Sequence, residues 1–361
     1  MSAESLQRIF KFGNILALTP SYSTPKETLR RKFYALVIVT SIAVGVVISV
    51  NNRNFYKGYI YMKIFVNILL DLNLLIFNCY TTLEVVFFKK HQWQKLMKNL
   101  KIVVARINSS DDSTATVFFM TQVVGVMVII AYLYIWLELR GMNHLQLYNV
   151  QYFQIYLLYT YTVLLCLIVN LFLSSYRRLN YFLEQIIERG LGKNLLLMLK
   201  KVEISVCHLR DSIDIFNEIF SWPIALIISY TTLYILNDSY SIFLRSSYAE
   251  DHKNLVMKVT SSILFVLLSF LGTTSLIIMC DSVLEEAGKI RSNSHRLRRS
   301  CSNVTPRERE EIREFCVTIK ESFPRFSAAR FFTIKRSTIL NILGTITSFL
   351  IIMIQFYISL E

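Results

Sequence analysis

The side chains best able to move protons or bind a metal near neutral pH are five histidines, His91, His144, His208, His252 and His295, and six cysteines. The cysteines show no zinc-ligand spacing, and the histidines are scattered, each better suited to a surface or interface than to catalysis. This argues against an enzyme and against a metal or other cofactor. Two other patterns point to recognition and conduction. The first is a polar arc. At about 100° per residue, Ser337, Thr338, Asn341, Thr345, Ser348, Gln355 and Ser359 share one narrow side of a helix, interrupted by Ile352. Such an arc either bonds neighbouring helices or faces water in a pore, with Ile352, Gln355 and Phe356 as a constriction that closes by dewetting. One helix cannot enclose a pore, so the second reading requires several copies of the chain.

The second pattern is aromatic. Tyr152, Tyr156 and Tyr159 share a face by i, i+4, i+7 spacing, with Gln151 and Gln154 nearby, and so do Tyr230, Tyr234 and Asp238, and Tyr132 with Trp136. Asn67 and Asp71 add polar groups, Asp71 being read as the most deeply placed acid. Intramembrane acids face a bundle interior and mark functional sites. Tyr and Trp near a membrane boundary also form an interfacial belt. As a set at one depth, these faces predict a pocket for a small organic ligand, equally a sugar ring or a plant alkaloid.

The elements that must position these residues are membrane helices. Hydrophobic residues make up 53% of the 361 and charged ones 18%, the balance of a multi-span all-α membrane protein. Apolar runs of about 20 residues predict seven spans, near 33–51, 59–88, 117–139, 151–175, 216–240, 258–281 and 337–358. Residues 1–32 lack the apolar core of a signal peptide. The net charge of +14 comes from basic residues between spans, so membrane orientation explains it better than nucleic acid does. Lys and Arg crowd the N-terminal arm and the second, fourth and sixth loops, which places the N-terminus in the cytoplasm and the C-terminus outside. The cysteines agree, since none falls in an outer loop, where a disulfide would form. Asn237-Asp-Ser reads as a glycosylation acceptor at an outer helix end.

Four segments follow: a basic amphipathic arm (1–32), spans one to six with an outward-facing pocket and cytoplasmic helical extensions (33–281), a cytoplasmic anchor (282–336), and the last helix with the outer C-terminus (337–361). Residues 176–187 and 194–215 keep a helical pattern around Gly190 and Gly192, which predicts a hairpin extending spans four and five. Thr305-Pro306-Arg307-Glu308 carries a capping box and an N1 proline, so a helix is expected from there to about Ser322. Pro223 predicts a kink near Phe220.

The C-terminus resembles the insect gustatory receptors. Their last helix ends in Thr-Tyr, five apolar residues and Gln-Phe. Here Ser348-Phe349, Leu350 to Ile354 and Gln355-Phe356 occupy those places, with Phe326 to Ser337 similar to the family's preceding segment. The chain departs from the pattern at Phe349, which lacks the phenol hydroxyl. The resemblance implies a tastant-gated, non-selective cation channel in the plasma membrane of sensory neurons. It also implies a homotetramer, or assembly with related subunits, joined through the cytoplasmic anchor and surrounded by membrane lipid. The arc has no acidic ring, so cation preference comes from the resemblance alone.

Two rivals remain at this level. A receptor working through a G protein would need the N-terminus outside, and neither Asp-Arg-Tyr after span three nor Asn-Pro-x-x-Tyr in span seven is present. A transporter would show paired interrupted helices and internal repeats, which the chain lacks.

Overall fold

The computed structural model describes residues 3–20, 25–52, 61–107, 113–189, 195–246, 252–300 and 305–358. The described chain is almost wholly helical: α1 (Ala3–Ile15), α2 (Pro25–Asn52), α3 (Tyr61–Leu83), α4 (Lys90–Ile107), α5 (Ser113–Arg140), α6 (Met142–Arg189), α7 (Leu195–Ser246), α8 (His252–Ser300), α9 (Pro306–Glu321) and α10 (Ser337–Ile358). Seven of these, α2, α3, α5, α6, α7, α8 and α10, are long and apolar enough to cross a membrane, matching the seven expected spans. The chain is therefore a multi-pass membrane protein. Its core runs along α6 and α7, where Tyr161, Phe172, Tyr176, Phe216, Phe220 and Tyr230 are almost fully buried.

The fourth-loop hairpin is present as continuous helix. α6 runs on to Arg189 and α7 begins at Leu195, with the two glycines between them outside the described residues. α8 likewise extends beyond its apolar stretch to Ser300. The end of the bundle that carries these extensions is here called the basic end. α9 starts as expected: the Thr305 hydroxyl accepts from the Glu308 N–H at 3.3 Å, the Glu308 carboxylate accepts from the Thr305 N–H at 3.0 Å, and Pro306 is at N1.

Two features differ from the sequence reading. The second span is not one regular helix. α3 gives way to a π-helical turn at Glu84–Phe88 and then to α4, which runs along α7 toward the basic end, with Trp93 against Phe220 at 5.0 Å and Asn99 bonded to Ser212 at 3.2 Å. At this turn the Glu84 carboxylate is buried, accepts from the Tyr80 hydroxyl at 2.9 Å and pairs with Lys89. It is more buried than Asp71, although Asp71 lies nearer the middle of the apolar span. α4 itself was signalled by Trp93, Leu96, Met97 and Leu100, an i, i+3, i+4, i+7 stripe that is buried. α1 closes the same end, Phe10 edge-on to Trp93 at 6.1 Å and Phe12 to Phe118 at 6.1 Å.

The segment before α10 is a short antiparallel hairpin, β1 (Ser327–Ala328) with β2 (Phe332–Thr333). Its turn residues Ala329 (φ 48°) and Arg330 (φ 63°) are both left-handed without being glycine, a conformation that needs outside support. α7 supplies it. The Ala329 N–H donates to the Ser221 carbonyl at 2.7 Å, the Ser327 N–H to Asn217 Oδ1 at 3.2 Å, and Asn217 Nδ2 to the Arg325 carbonyl at 2.5 Å. All of this lies beside Pro223, inside α7, whose missing N–H leaves a carbonyl one turn earlier without its helical donor. Arg336, just before α10, pairs with Asp281 at 3.0 Å and Glu285 at 3.5 Å on α8.

Candidate functional site

At the end of the bundle opposite the basic end, α3, α5, α6, α7 and α8 enclose a cavity of about 170 Å³. α5 and α6 are joined by Gly141 alone, at φ +68°, whose N–H donates to the Leu137 carbonyl at 2.8 Å. That left-handed cap turns the chain within one residue and lays the first turn of α6 over the last turn of α5. His144 then stacks on Trp136 at 4.9 Å, with the Arg140 guanidinium 5.0 Å from the same indole. His144 Nε2 is 2.6 Å from the Tyr152 hydroxyl.

Eight of the ten residues expected to bind ligand line this one cavity: Asn67, Asp71, Tyr132, Trp136, Tyr152, Tyr230, Tyr234 and Asp238. Their rings pack as a continuous wall. Tyr132 lies 5.7 Å from Tyr152 and 5.1 Å from Phe265, Phe265 lies 4.9 Å from Tyr234, and Tyr234 stacks on Tyr230 at 5.9 Å. Gln151 Nε2 donates to Asp71 Oδ1 at 3.2 Å, and the Ser262 hydroxyl donates to Asp238 Oδ1 at 3.1 Å. Two buried polar atoms of the lining, the Tyr230 hydroxyl and Asn237 Oδ1, have no hydrogen-bond partner among the described residues.

The other two candidates are elsewhere. Tyr156 does not line the cavity. Tyr159 belongs to the α5–α6 contact: its ring lies over Gly125, and its hydroxyl donates to the Thr121 carbonyl at 2.7 Å. The wheel places Tyr152 and Tyr159 on one face correctly, but seven residues of rise put Tyr159 about 10 Å deeper, where α5 is pressed against α6. Lys63, Arg140, His144 and Tyr148 also line the cavity and were missed. Arg140 and Lys63 are lone charges beside apolar runs, a pattern that does not by itself signal a pocket, and the first turn of α6 lies outside the apolar run that marked the span. Asn237, expected as a glycan acceptor at a helix end, lies inside α7 with its side chain on the cavity and is unsuited to that role.

The arc on α10 has a clear disposition. Asn341, Thr345, Ser348, Ile352 and Gln355 are all exposed, whereas Ile342, Ile346 and Met353 are buried against the chain's own bundle. Thr338, at the edge of the arc, is buried and accepts from the Lys335 N–H at 3.2 Å. The Thr345 and Ser348 hydroxyls donate to their own helix, to the carbonyls of Asn341 at 2.8 Å and Gly344 at 2.9 Å. The side chain of Phe356 and all of Ser359 lie outside the described residues. Among the described residues no group of His, Cys, Asp and Glu could hold a metal ion.

Comparison with known proteins places this geometry. No curated protein matches the sequence. Among solved structures the chain is similar to the insect olfactory receptor OR5 from Machilis hrabei, at 12% identity and a TM-score of 0.63, covering 98% of each chain. It is also similar to that receptor in complex with eugenol, at 13% identity, a TM-score of 0.68 and the same coverage of 98%. At such identities the likeness is one of fold. The 7tm chemosensory receptor family matches residues 6–360, nearly the whole chain. The protein is a member of the 7tm chemosensory receptor family.

Proposed function

We propose that this chemosensory receptor is of the gustatory type: a tastant-gated, non-selective cation channel formed by four copies of the chain in the plasma membrane of a sensory neuron. The observation that carries the channel reading is the exposed arc of α10. In hydrocarbon, the Asn341 and Gln355 amides would each stand without a partner at a cost of several kcal/mol. Water in a shared conduit, or a second copy of the chain, removes that cost. Ile352 and Gln355, with Phe356, then form the narrow point. The gustatory assignment rests on Gln355-Phe356 and its preceding apolar run, and the cytoplasmic N-terminus on the basic loops.

The ligand enters the cavity between α3, α5, α6, α7 and α8. Two cations, Lys63 and Arg140, and two acids, Asp71 and Asp238, line it together with five tyrosines. A balanced, hydrogen-bonding and aromatic lining suits an uncharged ring compound bearing hydroxyl groups, a plant secondary compound or a sugar. That the related receptor OR5 was solved with eugenol, itself a small aromatic, supports a small-molecule ligand here. Binding favours the open state by being tighter there than in the closed state.

The test is single-channel recording from cells expressing this chain, challenged with a panel of sugars and plant toxins. Gln355→Ala should change conductance or ion preference. Unaltered permeation in that variant would remove the pore assignment, and ligand responses without current would favour a sensor coupled to a separate effector.

A further inference from the structure

A groove of about 330 Å³ runs between α5, α6 and α8. Every residue lining it belongs to one of the expected spans 117–139, 151–175 and 258–281, so it lies at the depth of the hydrocarbon. Val117 and Leu271 in its lining are exposed, so it opens sideways to lipid. Its walls are apolar, with Val163, Leu167, Leu268 and Leu271, and no Lys, Arg, His, Asp or Glu lines it among the described residues. The Thr121 and Thr162 hydroxyls are spent on their own helices, donating to the Val117 carbonyl at 2.7 Å and the Leu158 carbonyl at 2.8 Å. Two polar side chains of the lining have no hydrogen-bond partner among the described residues: Asn170, half-buried, and Ser275, exposed. Both are uncharged, so a charged headgroup would find no counter-charge here.

The order of these groups along the membrane normal matters as much as their chemistry. As a helix, the run 151–175 is about 38 Å long against about 30 Å of hydrocarbon, so its last turn reaches the boundary at the basic end and Asn170 lies just inside it. Val163 and Leu167 on α6, and Leu268 and Leu271 on α8, lie deeper than Asn170. From Asn170 to Tyr159 the groove follows α6 for about 16 Å, close to the roughly 15 Å of one leaflet's hydrocarbon. A single neutral polar group near the surface, with apolar walls running from it to the mid-plane, matches the order of hydroxyl, rings and tail in a sterol.

We propose that this groove binds a membrane sterol from the leaflet at the basic end. The sterol hydroxyl bonds to the Asn170 amide, its rings lie over Gly272, and its tail points towards Tyr159. Gly272 leaves the α8 wall flat: a Cβ added there would meet only Thr162 Cγ2, at 3.6 Å, so a larger side chain grows into the groove. A rigid ring body loses little conformational freedom on seating, whereas a flexible acyl chain loses more. The site is separate from the ligand cavity, with which it shares no lining residue.

The experiment uses the full-length protein in phosphatidylcholine nanodiscs containing a diazirine-bearing cholesterol, and maps the photolabelled peptides by mass spectrometry. Label should fall on α6 between Tyr159 and Asn170 and on α8 between Leu268 and Met279, and excess cholesterol should displace it. Asn170→Leu should lower this labelling about fivefold by removing the partner of the hydroxyl. Gly272→Phe, which fills the groove, should lower it about tenfold. Val47→Phe, on an exposed face of α2, should leave it unchanged. Cholestane, which lacks the hydroxyl, and dioleoylglycerol, which carries one on a flexible body, should displace the label poorly. Equal displacement by either would overturn the proposal, as would full labelling of Gly272→Phe or label spread evenly over the exposed helices. Native mass spectrometry of Gly272→Phe should show an unchanged number of assembled chains. A loss of chains in that variant would make the groove a contact between copies and would overturn the proposal too.

Discussion

The backbone N–H of Ser327 donates to the Oδ1 of Asn217 at 3.2 Å, across 110 residues of chain. The same amide donates from Nδ2 to the Arg325 carbonyl at 2.5 Å, so one side chain on α7 holds both sides of a backbone turn that leads into α10. About four to six turns further along α7 are Tyr230, Tyr234 and Asp238, on the wall of the cavity. A single helix, α7, thus lines the candidate ligand cavity and holds the hairpin that seats the last helix.

Asn217→Ala should therefore reduce the maximal ligand-evoked current several-fold while changing the half-maximal concentration less. It removes two hydrogen bonds to backbone, on the order of 1–3 kcal/mol in total. Asn217→Asp keeps the acceptor for Ser327 and loses the donor to Arg325, so it should fall between. Whole-cell dose–response curves separate efficacy from potency.

Gly141→Ala should lower thermal stability by about 1 kcal/mol, because φ +68° disfavours any residue with a Cβ. No atom lies within 4 Å of the Cβ that would be added, so the effect is one of backbone conformation and not of crowding. Asn, which tolerates the left-handed region, should lose less than Ala. A fluorescence-based melting curve of the purified protein in detergent measures the difference.

Tyr234→Ala should raise the half-maximal ligand concentration about tenfold, by opening the wall between Tyr230 and Phe265. Tyr159→Phe should leave it unchanged and lower stability by about 1 kcal/mol, since it only removes the bond to the Thr121 carbonyl. Calcium imaging for potency and melting curves for stability distinguish the two tyrosines. Equal shifts in potency would contradict the geometry.

Cys316 on α9 is buried, and its Sγ donates to the Ser294 carbonyl at 3.3 Å. Burial raises the thiol above its ordinary value of 9.0, and the contact with Ser294 and the charge of Arg298 offset this only in part. The folded chain thus favours the protonated thiol. Its contribution to stability is present below the ordinary thiol range and is lost as pH rises through the raised folded value. Maleimide labelling of Cys316, followed by peptide mass spectrometry, should be slow at neutral pH and should accelerate only above pH 9, later than for an exposed thiol.

The seven spans, the helical extension of α6 and α7, and the capped start of α9 were all legible in the sequence. Each is set by local chemistry: runs of apolar residues, a 3.6-residue period, and Thr305, Pro306 and Glu308 in their places. The membership of the cavity was legible only in part. Period records which residues share a face, but neither how deep they lie nor which helix stands opposite. Tyr152 and Tyr159 share a face, yet one meets the cavity and the other meets Gly125. Arg140 and His144 join the lining because Gly141 folds one helix end over the next, a consequence of a single φ angle that no hydropathy window contains. The arc of α10 was likewise written in the sequence, while its exposure was decided by packing. Ile342, Ile346 and Met353 fill the contact with the bundle, and burying that apolar face about a third of a turn away leaves Asn341 and Gln355 directed outward.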